Sequence, residues 1–228
     1  MVMPAGGALA ADKKPSLVTL DKLICTLGNS AVTLEQIEVE RTLLAHSRDS
    51  LLFPGREESL GVEEIFLELF TRNLLRFQTV RMGFTDVDPK AVDAAVEATR
   101  RSFGSEAEYR KFLIKFQLND ESIEGLVPNG EVFADIRGRF RTTVMVHQFV
   151  DKKLDLQVRL ATQDALAQQG FDPATSDPNS DDEAVKTVRE QIRQQKLREW
   201  IRDLAARTTI TITDENYRPA INAFLSAR

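Results

Sequence analysis

Residues 20–44 read LDKLICTLGNSAVTLEQIEVERTLL, and this stretch decides how the rest of the chain must be arranged. Its first half predicts two short strands, because bulky residues that favour extended backbone lie on both sides of the turn residues at 28–30. Its second half predicts a helix that is capped by Thr33, with Gln36 at the spacing of a capping box. Because two strands alone are marginally stable in water, this pair needs a further strand or covering helices.

The further strand is predicted near the other end of the chain. Residues 208–213, TTITIT, alternate polar and β-branched apolar side chains, which is typical of a half-buried strand. This strand has no local partner, whereas the opening pair has an open edge. We therefore expect a mainly α fold with a minor α+β component. A sheet of two to three strands would join the N-terminal strands to the C-terminal strand and close the helical domain.

The residues between these strands predict a series of helices. The most strongly patterned one covers 62–82, and its wide apolar stripe indicates the central core helix. The predicted apolar face consists of Val62, Ile65, Phe66, Leu69, Phe70, Leu74, Phe77 and Val80. Further helices are predicted at 90–103 after the cap Asp88, at 106–116 after the cap Ser105, at 131–154 with a possible bend at Gly138, at 157–169 and at 183–206.

Composition shifts suggest how the chain is divided. The expected segments are a leader at 1–15, a core at 16–154, a helix and linker at 155–182, and a C-terminal helix and strand at 183–228 that complete the core. The leader has a small-x-small pattern at 8–10 but no basic region and no long apolar run, so it is either the tail of an export signal or a disordered leader. The linker character is strongest at 170–182, GFDPATSDPNSDD.

The overall composition excludes several classes of protein. The 228 residues are 42% hydrophobic and 29% charged, as is ordinary for a soluble globular protein, and no stretch approaches the apolar length of a membrane span. A net charge of −5 argues against a nucleic-acid-binding protein. A single cysteine, Cys25, excludes an internal disulfide, and its place among apolar strand residues predicts a buried, unreactive thiol.

No pattern of residues predicts catalysis. His46 and His147 lie on different predicted helices, and there is no HExxH motif or Cys/His cluster, so we expect no metal site. No glycine-rich phosphate loop or nucleophile elbow is present either, and we expect neither a cofactor nor an enzymatic activity. His147 lies on an apolar stripe, which favours a packed, hydrogen-bonded histidine over a ligand.

A basic cluster surrounds Phe140. The cluster consists of Arg137, Arg139 and Arg141. The favoured interpretation is that these side chains form the solvated flank of a helix, and the alternative is that they contact an acidic partner.

The order of the motifs resembles the SurA family of periplasmic chaperones. The resemblance rests on VTLEQIEVERTLL at 32–44, on FTDVDPKAVDAAVEATRRSFGSEAEYRKFLIKFQLNDESI at 84–123, and on REWIRDLAARTTITI at 198–212. It covers roughly 20–153 and 183–213. It implies an N-terminal chaperone domain that is completed by a C-terminal helix and strand. The family's parvulin isomerase domain has no room between residues 155 and 182, and the parvulin's paired histidines are absent, so the resemblance implies the chaperone module without isomerase activity.

Two hypotheses of function follow. In the first, which the resemblance implies, the protein is an ATP-independent periplasmic holdase. It would bind unfolded or extended export and outer-membrane clients in an apolar groove and by strand pairing at an open edge. Candidate groove residues are Phe112, Phe116, Phe133 and Phe140. In the second, the protein is a structural or adaptor subunit of a cell-envelope assembly. A homodimer formed by swapping the C-terminal helix is a further expectation, because the linker at 170–182 could act as a hinge.

Overall fold

The computed structural model describes residues 21–28, 30–120, 134–168, 177–180 and 182–226. In these ranges the strands and helices are β1 (Leu23–Leu27), β2 (Ser30–Thr33), α1 (Leu34–Ser47), α2 (Val62–Arg81), α3 (Pro89–Ser102), α4 (Glu106–Lys115), β3 (Leu118–Asn119), β4 (Ala134–Asp135), α5 (Ile136–Gln168), α6 (Glu183–Ala205), β5 (Ile210–Ile212) and α7 (Arg218–Ser226). Short 3-10 turns lie at Glu57–Ser59 and Glu215–Tyr217.

A small antiparallel sheet joins the two ends of the chain. Its strand order is β2-β1-β5, and Leu27 of β1 lies opposite Ser30 on one side and Ile210 on the other. A second, two-residue parallel pairing joins β3 to β4. The structure confirms the predicted mainly helical fold with a minor sheet, and it confirms that the C-terminal strand returns to the opening pair.

The predicted cap of the first helix is present. The Thr33 hydroxyl accepts a hydrogen bond from the backbone N–H of Gln36 at 3.3 Å, and the Gln36 side-chain oxygen accepts one from the N–H of Thr33 at 3.2 Å. Two donors that the helix itself leaves free are thus satisfied reciprocally. Asp88 and Ser105 likewise accept hydrogen bonds from the first turns of α3 and α4. These caps confirm the predicted helix starts.

Buried apolar residues form two clusters. The first lies between the sheet, α2, α5 and α6, and the second lies between α1, α3, α4 and the beginning of α5. Helix α5 takes part in both clusters, with Val146 and Val150 in the first and Ile136 and Phe140 in the second. This helix therefore connects the two halves of the core.

The predicted apolar face of α2 is only partly buried. Ile65, Phe66 and Phe70 are in the core, as expected, but Phe77 and Val80 are 58% and 52% exposed. Val62, at the other end of the helix, is also exposed, and Leu69 is half-buried. The prediction was wrong at the two ends because periodicity marks a face of a helix but does not show how far its neighbours cover that face.

Helix α5 is a single element of 33 residues. The predicted break between 154 and 157 is absent, because Leu154 and Val158 carry the buried face through that point. Gly138 lies in the first turn, where its N–H donates to Asp135 Oδ2 at 3.0 Å, so it does not weaken the interior of the helix. The predicted start of this helix at Glu131 lies outside the described residues.

Helices α5 and α6 form a long hairpin. At 1.5 Å per residue, α5 alone is about 50 Å long. Near the far end of the hairpin Leu166 and Val185 are buried, although neither belongs to the two main clusters. Arg193 of α6 pairs with Asp151 of α5 at 2.8 Å. In the single chain α6 thus packs on its own α5, and the swapped dimer stays a prediction.

Candidate functional site

A cleft of about 500 Å³ opens between α1, α2, the β3–β4 pair and the first turns of α5. These elements meet here because α1 and α2 pack side by side while β3 and β4 bring two distant segments together at one end. The apolar part of its wall consists of Val39, Leu43, Leu69, Phe116, Leu118 and Ile136. The cleft is therefore lined by apolar side chains from every element that surrounds it.

The cleft also has charged lining residues, and the central one is Glu40 of α1. Glu40 and Arg72 are only 3% and 5% exposed, and the Arg72 guanidinium donates through Nη1 to Glu40 Oε1. Arg139 of α5 donates to the same carboxylate through Nη2 at 2.5 Å and through Nε at 3.3 Å. A single carboxylate thus holds two arginines that belong to different helices.

Asp49 completes this network from the loop after α1. Arg139 Nη1 donates to Asp49 Oδ2 at 2.7 Å, so one guanidinium joins α1, the following loop and α5. Burial raises the pKa values of Glu40 and Asp49, but Arg139 and Arg72 outweigh this effect and leave both below their usual range. The carboxylates are therefore charged at neutral pH and the network is a set of true ion pairs.

Glu68 of α2 anchors the same loop from the other side. Its carboxylate accepts hydrogen bonds from the backbone N–H groups of Leu51 and Leu52 at 2.8 and 3.0 Å and from the Ser50 hydroxyl at 2.9 Å. Complete burial raises the pKa of Glu68, whereas Arg72 and these donors act in the opposite direction. The loop is thus held by buried polar contacts on both sides.

His147 is packed and hydrogen-bonded, as predicted. Its Nε2 lies 3.0 Å from the backbone oxygen of Asp49, and burial lowers the pKa of the imidazole. The neutral ring therefore donates a hydrogen bond to the loop that Arg139 also holds.

The basic cluster at 137–141 is divided between two environments. Arg137 pairs with Asp93 at 2.5 Å on an exposed surface, and Arg141 is also exposed, which agrees with the predicted solvated flank. The prediction was wrong for Arg139, whose acidic partners are Glu40 and Asp49 of the same chain. The sequence contained one signal of a buried ion pair: Glu40 is a charged residue on the apolar face of α1, where it would need a basic partner.

Three neutral polar side chains in the wall are free to bind a ligand. Asn73, Gln117 and Thr142 line the cleft, and their side chains have no hydrogen-bond partner in the described structure. Gln117 also has a φ of 49°, a left-handed conformation that is uncommon for residues other than glycine. Amide and hydroxyl groups of this kind can bind the N–H and C=O groups of an extended peptide.

The structure separates the four predicted groove residues. Phe116 is half-buried and lines the cleft. Phe112 and Phe140 are 5% and 1% exposed and lie in the second apolar cluster, with the Phe112 ring 5.4 Å from that of Phe116. Phe133 lies outside the described residues. Phe112 therefore supports Phe116 from behind, and a role of the whole set in client binding stays a prediction.

Other features bear on the predicted chemistry. Within the described residues no group of three or more His, Cys, Asp or Glu side chains is arranged to hold a metal ion. No helix in that part of the chain is long and apolar enough to cross a membrane. Cys25 is fully buried, as predicted, and burial raises the pKa of its thiol to about 11.

Comparison of the chain with protein-family models, with curated proteins and with solved structures found no match. The resemblance to the SurA family therefore stays a prediction from the sequence motifs.

Proposed function

We propose that this protein is an ATP-independent holdase that binds unfolded or extended polypeptides in the cleft between α1, α2, the β3–β4 pair and α5. The observation that carries the proposal is the combination of apolar walls with unpaired amide and hydroxyl groups in one cavity of about 500 Å³. An extended peptide presents both apolar side chains and backbone polar groups, so this lining complements it without requiring a particular sequence.

The buried ion pairs would keep the cleft open. Glu40 is almost completely buried and pairs with Arg72 of α2 and Arg139 of α5, so a movement of these helices that closed the cleft would have to break buried ion pairs. When the cleft is already formed, the protein loses less conformational entropy on binding a client than when the cleft must form during binding. The network thus supports reversible binding to a preformed surface.

The open sheet edges supply a second means of contact. In the order β2-β1-β5 both outer strands have one unpaired edge within the described structure, and Thr33 at the end of β2 also lines the cleft. A client strand could pair there while its side chains enter the cleft. From the sequence resemblance, we further propose export and outer-membrane proteins as clients, the periplasm as the location, and no prolyl isomerase activity.

The test is an aggregation assay on an unfolded outer-membrane protein, without ATP, with prolyl isomerisation measured in parallel. Leu69→Gln places a polar group in the cleft wall and should abolish most of the suppression of aggregation. Leu160→Gln is the matched control, because Leu160 is exposed on α5 and does not line the cleft. Circular dichroism would verify that both variants fold. Equal suppression by both variants would overturn the assignment of the cleft.

A second candidate is the structural or adaptor subunit of an envelope assembly. It is supported by the exposed apolar residues Phe77, Val80 and Met82 at the end of α2, because exposed apolar surface often marks a protein interface. Phe77→Gln should then abolish a stoichiometric complex with one partner and leave aggregation suppression unchanged. If the protein is instead a holdase that uses the cleft, Leu69→Gln should abolish most of the suppression of aggregation.

A further inference from the structure

Arg76 is the one arginine lining the cleft that has no ion pair or hydrogen bond in the described structure. It is exposed on α2, one turn beyond Arg72 and next to Asn73, whose side chain is also unpaired. Arg72 and Arg139, by contrast, are held by Glu40, and Arg139 is also held by Asp49. A fully available guanidinium is thus left at the wall of the cleft.

The contacts of α2 show where Arg76 lies. Glu68 contacts the loop that follows α1, and Arg72 contacts Glu40 inside α1, so the two helices run antiparallel. Arg76 is one further turn along α2 and therefore lies toward the beginning of α1. That end of the cleft is where Gln36 of α1 also lines the wall.

Most of the carboxylates around the cleft are already engaged. Asp21 accepts the N–H of Glu35 at 3.0 Å, and Asp135 accepts the N–H groups of the first turn of α5. These two carboxylates lie at helix N-termini, where the partial positive charge of the helix offsets part of their negative charge. Glu40 is saturated by Arg72 and Arg139. Glu35 is the lining carboxylate without a side-chain partner in the part of the chain that the structure describes.

The donors without an acceptor are concentrated on α2, at Arg72, Asn73 and Arg76. In addition to Arg76, the Arg72 side chain is nine-tenths buried, and its Nε and Nη2 have no hydrogen-bond partner, although Nη2 lies 3.6 Å from Glu68. Asn73, Gln117 and Thr142 can each donate and accept hydrogen bonds. A ligand group that supplies acceptors and a negative charge would complement these donors on α2.

We propose that Arg76 and Asn73 form a carboxylate subsite at the end of the cleft nearest the beginning of α1. The ligand chemistry is the carboxylate of a bound peptide, either its C-terminal group or an acidic side chain, with the adjoining apolar residues in the cleft. The planar guanidinium would bind the two oxygens together, and the Asn73 amide would donate to one of them. This inference rests on the proposed peptide-binding function and narrows the class of client.

The experiment is fluorescence anisotropy with one short apolar peptide, labelled at its N-terminus and made with a free C-terminal carboxylate, with a C-terminal amide, and as an amide with one internal glutamate. The free acid should bind roughly five- to tenfold more tightly than the amide, as expected for a partly exposed, hydrogen-bonded ion pair. The difference should shrink at high salt. Tighter binding of the glutamate peptide as well would identify side chains as a second source of the carboxylate.

Variants of the full chain test the residues. Arg76→Gln should reduce the five- to tenfold preference for the acid over the amide to about one, whereas Glu35→Gln should strengthen binding of the acid by removing an unpaired negative charge. Arg81→Gln is the matched control, because Arg81 is exposed on α2 and does not line the cleft. Thermal melting would verify that each variant is folded.

The outcomes separate this inference from the function on which it rests. Equal binding of acid and amide by the wild type, or an unchanged preference in Arg76→Gln, would overturn the carboxylate subsite while leaving peptide binding intact. Failure of every peptide form to bind, together with no suppression of aggregation, would overturn the proposed function itself.

Discussion

Arg139 Nη1 lies 2.7 Å from Asp49 Oδ2, and the same guanidinium binds Glu40 through its other nitrogens. The two carboxylates come from α1 and the loop after it, about a hundred residues before their partner in the chain. This arrangement fixes the first turns of α5 against the first helix, and the cleft lies along the same junction. The network is therefore both a tertiary constraint and part of the proposed binding surface.

Removing the arginine should be much more costly than removing its exposed neighbour. Arg139→Ala leaves Glu40 and Asp49 buried without their main partner, which we expect to lower the free energy of unfolding by about 3–5 kcal/mol. Arg137→Ala, which breaks an exposed pair with Asp93, should change it by less than about 1 kcal/mol. Urea denaturation of both variants measures the difference. Similar values for the two would mean that the buried network contributes little.

Stability should fall on acidification because of the same carboxylates. Folding lowers the pKa values of Glu40 and Asp49 below those of the unfolded chain, which lie near 4. The two carboxylates therefore contribute fully to stability above about pH 4. This contribution is lost as the pH falls from about 4 toward the pKa values in the folded protein. His147 adds a loss of the same sign below about pH 6.5, because burial lowers its pKa and the unfolded chain takes up the proton first. Urea midpoints between pH 7 and pH 3 provide the measurement.

Two variants separate the contributions to this acid dependence. Asp49→Asn should flatten the decline below about pH 5, because it removes one of the groups with a lowered pKa. Glu68→Gln should steepen it, because burial raises the pKa of Glu68 and this group opposes the loss. A decline that neither variant alters would have to arise elsewhere in the chain.

The hydroxyl of Tyr109 should contribute measurably to stability. This buried hydroxyl donates to Asp120 Oδ2 at 2.7 Å, and burial together with that carboxylate raises the pKa of the phenol. Tyr109→Phe should therefore cost about 1–3 kcal/mol, as expected when a buried charged acceptor loses a donor. Tyr217→Phe is the control, since the Tyr217 hydroxyl has no hydrogen bond in the described structure. If thermal unfolding shows the same loss of stability for both variants, the hydrogen bond between Tyr109 and Asp120 contributes little.

The thiol of Cys25 should be unreactive while the protein is folded. It is fully buried in β1, and its pKa of about 11 leaves almost no thiolate at neutral pH. A colorimetric thiol reagent should thus react at a rate set by unfolding, and it should react rapidly in urea. Fast reaction of the native protein at pH 8 would show that the strand opens or that the thiol is accessible.

A structural feature could be predicted from the sequence when the residues that form it are close together in the chain. The Thr33 cap, the Asp88 cap and the turn between the first two strands involve neighbours in sequence, so their residue types alone predicted them. The exposed end of α2 was predicted wrongly, because Phe77 has the right spacing for a core face and only the neighbouring elements determine whether it is covered.

The candidate site was predicted less well than the fold. Phe116 was expected in a groove and does line the cleft, but Phe112 and Phe140 are buried in the second apolar cluster. Arg139 was expected on a solvated flank because it lies in a cluster of basic residues, and its acidic partners are about a hundred residues away in the sequence. Aromatic and basic residue types indicate which interactions are available, whereas burial and pairing depend on distant parts of the chain.

Residue types alone were enough to predict the mainly helical fold, the helix caps, and the return of the C-terminal strand to the opening pair. Those features follow from local backbone preferences and from a strand at each end that lacked a partner. The buried network of Glu40, Asp49 and Arg139, and the unpaired Arg76 beside it, became visible only in the folded chain. A buried charge needs an opposite charge or hydrogen-bond donors to offset its lost hydration, and here folding brings those partners together from distant positions in the chain.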